Sequence, residues 1–164
     1  MSAVRRSETG PETGSEPLSK ARLRLWLKLL KASGQIEDEI RRQMRRELDS
    51  TLPRFDVMSA LSRHPDGMKM SEISKLLRVS NGNITGIVDK LTEEGLALRV
   101  AVPGDRRANR VRLTPKGEAV FVEHAAVHEG WIDEILGGLD RDDIDGMVQR
   151  LDQLNLTLDD RSQQ

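Results

Sequence analysis

The chain has 164 residues, with 26 Lys and Arg against 27 Asp and Glu, and no Cys. That length suits one domain around one core, and the absence of thiols excludes disulfides, thiolate metal sites and cysteine-based peroxide sensing. No stretch approaches the ~20 apolar residues of a membrane span, and the first residues carry no apolar run, so a cytoplasmic protein is expected.

The net charge of -1 conceals an asymmetry. Residues 20–50 hold nine Lys and Arg against five Asp and Glu, residues 53–117 twelve against seven, and residues 118–164 three against twelve. A basic first two-thirds and an acidic last third suit a molecule that meets a polyanion with one end only.

Residues 1–17, rich in Ser, Thr, Gly and Pro and without an apolar pattern, read as a disordered tail. A long helix follows, with Leu23, Trp26, Leu27, Leu30, Ile36, Ile40, Met44 and Leu48 at helical spacing and Ser33-Gly34 as a point where it can bend. Thr51 and Pro53 open a second helix carrying Phe55, Met58 and Leu61, which ends in the turn His64-Pro65-Asp66-Gly67. Ser71 is expected to cap a short helix with Ile73, Leu76 and Leu77 inward. After the link Arg78-Val79, Ser80 caps another, with Ile84, Ile87, Val88 and Leu91 inward and Gly95 ending it.

Two helices joined by so short a turn form the arrangement many DNA-binding proteins use. The second presents Asn81, Asn83, Thr85, Gly86, Asp89 and Lys90 outward. Asn can pair with adenine, Thr can meet the thymine methyl, and Gly82 and Gly86 allow close approach. The free N–H groups of its first turn favour phosphate.

Next, Leu96, Leu98, Val100 and Val102 alternate with Ala97, Arg99 and Ala101, and Val111 and Leu113 alternate with Arg110 and Arg112, so a hairpin is expected around Pro103-Gly104-Asp105. It bears Arg106, Arg107 and Arg110, whose guanidinium groups suit phosphate or a narrow minor groove. A helix over 114–137 follows, with Thr114 as cap, Pro115 in its first turn and Gly137-Gly138 at its end. The last begins at Asp140, carries Ile144, Met147, Val148, Leu151, Leu154 and Leu158, and stops before a tail at 161–164. The fold class is therefore mainly α with a small β-hairpin: a winged helix-turn-helix lobe over 51–114, with a helical dimerisation region at 18–50 and 115–160. The terminal helices carry more apolar surface than the lobe can cover, which points to a homodimer.

Leu52-Pro53-Arg54-Phe55, Val79-Ser80, Leu91-Thr92-Glu93-Glu94-Gly95-Leu96, and Asp105-Arg106-Arg107 followed by Leu113-Thr114 make the chain resemble the MarR (multiple antibiotic resistance regulator) family of winged-helix transcription factors over about residues 20–160. The resemblance implies a triangular homodimer built on its first, fifth and sixth helices, with a recognition helix in the major groove and a wing in the minor groove of double-stranded, pseudo-palindromic operator DNA. Arg107 matches the arginine that enters the minor groove, and Asp105 the acid that steadies it. Where this chain has Gly86 the family often has Arg, which shifts base contacts toward Asn81, Asn83 and Thr85. Ser71, Ser80, Lys90, Arg106 and Arg110 complete the expected DNA-binding set.

The resemblance also implies a repressor released by a small molecule. Thr51–Asp56 with Gly82–Gly86 look like the subgroup that controls aromatic-compound catabolism, whose effectors are aromatic acids or aryl-CoA thioesters. Arg22, Trp26, Lys28, Arg45, Phe55 and Trp131 are the candidate ligand residues, the cations for phosphates or carboxylate and the aromatics for a ring. His124 and His128, four apart, allow a zinc-responsive regulator as an alternative, but without Cys or a third His they make a weak site and no metal is assigned. A winged-helix module for protein contact is the other alternative. No catalytic grouping or cofactor-binding motif is present, so neither an enzyme nor a cofactor is expected.

Overall fold

The computed structural model describes residues 16–162, the side chains of residues 106–108 excepted. Of the expected tail, residues 1–15 lie outside the described residues. Helix α1 runs Leu18–Leu48 without interruption at Ser33-Gly34, and the chain divides into two units within it, between Asp38 and Glu39. In the first unit Leu23, Leu25, Trp26, Leu27 and Leu30 are all about half exposed, and Arg24 pairs with Glu16 at 2.7 Å.

The second unit holds the end of α1 and everything after it. Thr51 accepts the Arg54 N–H and Pro53 sits in the first turn, so α2 (Leu52–Ser62) starts as the sequence specifies. Strand β1 (Met68–Lys69) precedes α3 (Met70–Leu77) and α4 (Asn81–Glu93), which lead to β2 (Ala97–Val102), β3 (Asp105–Leu113), α5 (Pro115–Ile135) and α6 (Arg141–Ser162). Val57, Met58, Leu61, Ile73, Ile84, Val88, Leu91, Val111 and Leu113 form the core, where α2, α3 and α4 meet the sheet. No helix of the described residues is long and apolar enough to cross a membrane.

The expected hairpin is two-thirds of a sheet. Antiparallel strands lie in the order β1-β3-β2, and β1 adds Met68 opposite Val111 and Lys69 opposite Arg110. Gly67, at φ +89°, turns the chain into β1 where a Cβ would stand 3.0 Å from the Val111 carbonyl oxygen. The turn between β2 and β3 is tighter than expected, because Asp105 already pairs with Val102. The next pair is Ala101 with Asn109, so residues 106–108 of β3 are inserted between two successive β2 pairings.

Three further expectations change. Ser71 does not cap α3: Lys69 is the cap residue, and its N–H donates to the Glu72 carboxylate at 2.8 Å. Leu76 is not inward but 54% exposed, because eight residues of helix turn only Ile73 fully into the core and Met70 and Leu77 partly. Arg161 and Ser162 are not a tail but the last residues of α6.

The other caps follow the sequence. Ser80 accepts from Asn83 N–H and Thr114 from Gly117 N–H, while Asp140 and Asp143 each accept the other's N–H at the start of α6. Gly117 is itself buried, with its Cβ position 1.9 Å from the Leu96 carbonyl oxygen, so α5 begins in contact with the backbone that enters β2. Helix α6 has no buried residue: Ile144, Met147, Val148, Leu151, Leu154 and Leu158 are all substantially exposed.

Candidate nucleic-acid interface

Burial of Ile84, Val88 and Leu91 fixes the rotation of α4 and leaves Ser80, Asn81, Gly82, Asn83, Thr85, Gly86 and Lys90 exposed. Ser71, on α3, is exposed too. This polar face is not uniform. Along one side, the Thr85 hydroxyl donates to the Asn81 carbonyl at 2.8 Å, and Asp89 is held by Arg99 of β2 at 2.7 Å. Along the other, Gly82, Asn83, Gly86 and Lys90 look across a cavity of about 470 Å³ toward the link from α1 to α2, including Ser50 and Arg54. The two glycines have no neighbour within 4 Å of a Cβ, so the open space beside α4 depends on their lack of side chains.

One end of that cavity is closed by an ion pair that joins α2 to α4. Arg54 donates to Glu94 through both terminal nitrogens, at 2.9 and 2.5 Å, with the arginine side chain only 20% exposed. This contact, with weaker contributions from Lys116 and Lys90, holds the Glu94 carboxyl below the usual carboxylate range. Lys90 therefore stands both on the expected reading face and at the cavity edge.

The wing places its residues unequally. Asp105 closes the β2–β3 turn in exposed backbone. Arg106 and Arg107 fall in the inserted stretch of β3, and their side chains lie outside the described residues. Arg110 is half-buried and donates to the Gly67 carbonyl at 2.9 Å, so one arm of its guanidinium ties β3 to the turn before β1.

Of the six ligand residues expected from the sequence, three lie in each unit. Arg22, Trp26 and Lys28 are exposed along the first unit's part of α1, and Arg45 is exposed in the second unit. Phe55 and Trp131 are buried. Phe55 packs on Phe121 and on His128 at centroid distances of 5.6 and 4.8 Å, His128 meets Trp131 edge-on at 6.4 Å, and the Trp131 ring N–H donates to Glu47 at 3.1 Å. These rings fill space, and neither they nor Arg45 border the cavity beside α4. That cavity is assembled from two separate segments, residues 49–54 and 82–94, so no periodicity could announce it.

His124 and His128 share the lobe-facing side of α5. Burial lowers both imidazoles below their ordinary range, opposed by Glu123 at His124 and by Asp56 at His128, while Arg54 lowers His124 further. No group of three or more metal-ligating side chains occurs among the described residues. His128, packed against a phenyl ring, serves there as a core aromatic.

A capped helix pair, a three-stranded sheet with an extended wing and flanking long helices define a winged helix-turn-helix protein. Residues 48–108 match the sequence profile of the MarR family. The chain is 26% identical over 140 residues to the HTH-type transcriptional regulator MhqR of Bacillus subtilis (strain 168), an alignment spanning 85% of this chain and 94% of that protein. Its fold is similar to that of a MarR family transcriptional regulator from Silicibacter pomeroyi, with a TM-score of 0.71, 26% identity, and coverage of 88% of this chain and 99% of that one. Streptococcus pneumoniae FabT in complex with DNA shares the fold as well, with a TM-score of 0.67 and 24% identity over 85% of this chain and 98% of that one. The chain is thus similar to MarR family transcriptional regulators, in sequence over residues 48–108 and in fold over most of its length.

Proposed function

We propose that this protein is a homodimeric, cytoplasmic repressor that binds a pseudo-palindromic operator in double-stranded DNA and leaves it when a small aromatic anion, an aromatic acid or an aryl-CoA thioester, binds, so controlling genes of aromatic-compound catabolism. The exposed polar face of α4 carries the reading: a capped helix with Asn81, Asn83 and Thr85 outward, flanked by a wing whose arginines lie on an inserted stretch of strand. In this reading Asn81, Asn83 and Thr85 meet base edges. Ser71, Ser80, Lys90, Arg106 and Arg110 meet phosphate, and Arg107, steadied by Asp105, enters the minor groove. The DNA-bound state of FabT, which shares the fold, supports this use of it. The unburied apolar side chains along α6, and separately those of the first unit, support the dimer, since so many exposed apolar side chains on one helix mark an interface.

The cavity beside α4 supports release by a ligand. Its volume suits a small aromatic molecule, and Asn83 and Lys90 belong to both cavity and reading face. An anion paired with Lys90 there takes that ammonium from the phosphate backbone.

Gel-shift titration against operator-like palindromes at two salt concentrations tests the function. A repressor gives nanomolar binding that falls steeply with salt, reversed by one aromatic acid or thioester. Salt-insensitive or absent binding leaves a protein-contact module in its place.

A further inference from the structure

Beside α3 lies a second concavity, of which the functional reading uses only Arg110. It measures about 630 Å³ and is formed by the turn into β1, the outer face of α3 and one residue of β3. Lys75, Arg78 and Arg110 bring three cations to it, and His64 stands at the rim. Met68 and Leu76 give it an apolar side, and Leu76 is 54% exposed. Its one acid, Glu72, is already engaged as the acceptor for the Lys69 N–H.

Arg78 is the most telling member. It ends α3 in the left-handed conformation, φ 53° and ψ 42°, a position that favours glycine because a Cβ there is strained. The chain accepts that strain and gains a guanidinium at the mouth of the concavity. Arg110 is fixed by its bond to the Gly67 carbonyl, which leaves further donors on the same group.

We propose that this concavity is a second ligand site, independent of the cavity beside α4, and that it takes a small amphipathic anion: a carboxylate or phosphate head between Arg78, Lys75 and Arg110, and an apolar body against Leu76 and Met68. A concave, partly apolar site with convergent cations suits such a molecule better than a duplex backbone, which presents phosphates along a convex surface. Arg110 lies two residues beyond the inserted stretch of the wing, so the ligand touches the strand that carries Arg106 and Arg107.

The test is amide chemical-shift mapping on the full-length protein, with phenylacetate and phenyl phosphate as anionic probes, 2-phenylethanol as the neutral one and inorganic phosphate as the head alone. Saturable shifts at Gly67, Lys75, Arg78 and Arg110 are expected with one or both aromatic anions and not with the alcohol; the stronger of the two identifies the head group. Arg78→Gly, which relieves the strained backbone while deleting the charge, should weaken that binding about tenfold with the melting temperature unchanged or raised. Lys75→Gln should weaken it as well. Shifts confined to Gly82–Lys90 would leave the cavity beside α4 standing and overturn this site. So would equal binding of the alcohol, binding by inorganic phosphate alone as strong as by either aromatic anion, or undiminished affinity in Arg78→Gly.

Discussion

Gly117→Ala is expected to destabilise the protein, although alanine is the better helix former. The added Cβ would lie 1.9 Å from the Leu96 carbonyl oxygen and 2.8 Å from its carbon, both backbone atoms that no rotamer change can move. Relief requires the first turn of α5 to withdraw by about 1.5 Å, the gap to an ordinary contact. Thr114 N–H donates to that same oxygen at 3.0 Å, and its hydroxyl donates to the Gly95 carbonyl at 2.7 Å while capping Gly117. Losing the hydrogen bond and the cap costs about 3–4 kcal/mol together, against ~1 kcal/mol recovered in helix propensity. The net loss is about 2–3 kcal/mol, a fall in melting temperature of roughly 5–10 °C. Urea denaturation at fixed protein concentration, needed because the stability of the proposed homodimer would depend on it, measures the difference. A variant as stable as the parent would show that α5 and Leu96 are not held together as described.

Gly86→Ala should behave in the opposite way, stabilising by about 1 kcal/mol because its Cβ meets nothing within 4 Å, while weakening operator or effector binding in gel shifts if the open space beside α4 is used. Glu94 has a folded-state pKa held down chiefly by Arg54, so its contribution is present above the ordinary carboxylate range and fades as pH falls through the lowered value. Glu94→Gln should flatten that acid limb of stability by up to ~1 kcal/mol, the pair being partly exposed, as read by melting temperature from pH 7 down to about 3. His124 and His128 both prefer to be neutral when folded, so stability should decline as pH drops from their ordinary value of 6.5 toward the lowered ones; His128→Phe, which keeps a ring against Phe55, should make that decline shallower, and an unchanged slope would show that His128 does not contribute to it. Arg107→Ala should weaken all operator sequences alike and reduce the salt slope by about one unit, whereas Asn83→Ala should cost about 1–3 kcal/mol mainly at one base position; wild-type binding by both variants would refute the docking.

Helix boundaries were legible wherever a side chain caps the backbone within three residues, as at Thr51, Ser80, Thr114 and Asp140, because that chemistry is local. The cap of α3 was not, since it comes from the Lys69 backbone and a carboxylate three residues on, where Ser71 offered a more familiar signal. Strand β1 escaped detection because two residues carry no period; only pairing with Val111 and Arg110 makes it a strand. Leu76 sits at a helical spacing from Ile73 yet faces out, since α3 is too short for its apolar positions all to find core. Arg110 matches the basic pattern of the wing in sequence, while its bond to Gly67, 43 residues away, needs the folded sheet. The cavity beside α4 and the concavity beside α3 both join distant segments, and neither has a linear signature.

The insertion of residues 106–108 between two consecutive β2 pairings separates reach from anchorage in the wing. Val111 and Leu113 are buried on the far side of the irregularity, paired with Arg99 and Ala97, and the turn is closed on the near side by Val102 and Asp105. A residue gained or lost within the insertion would leave both registers in place, so the side chains of the strand would not exchange faces. The length and charge of the arm can thus drift between related proteins while the core that supports it stays constant, and a change of target need not be a change of fold.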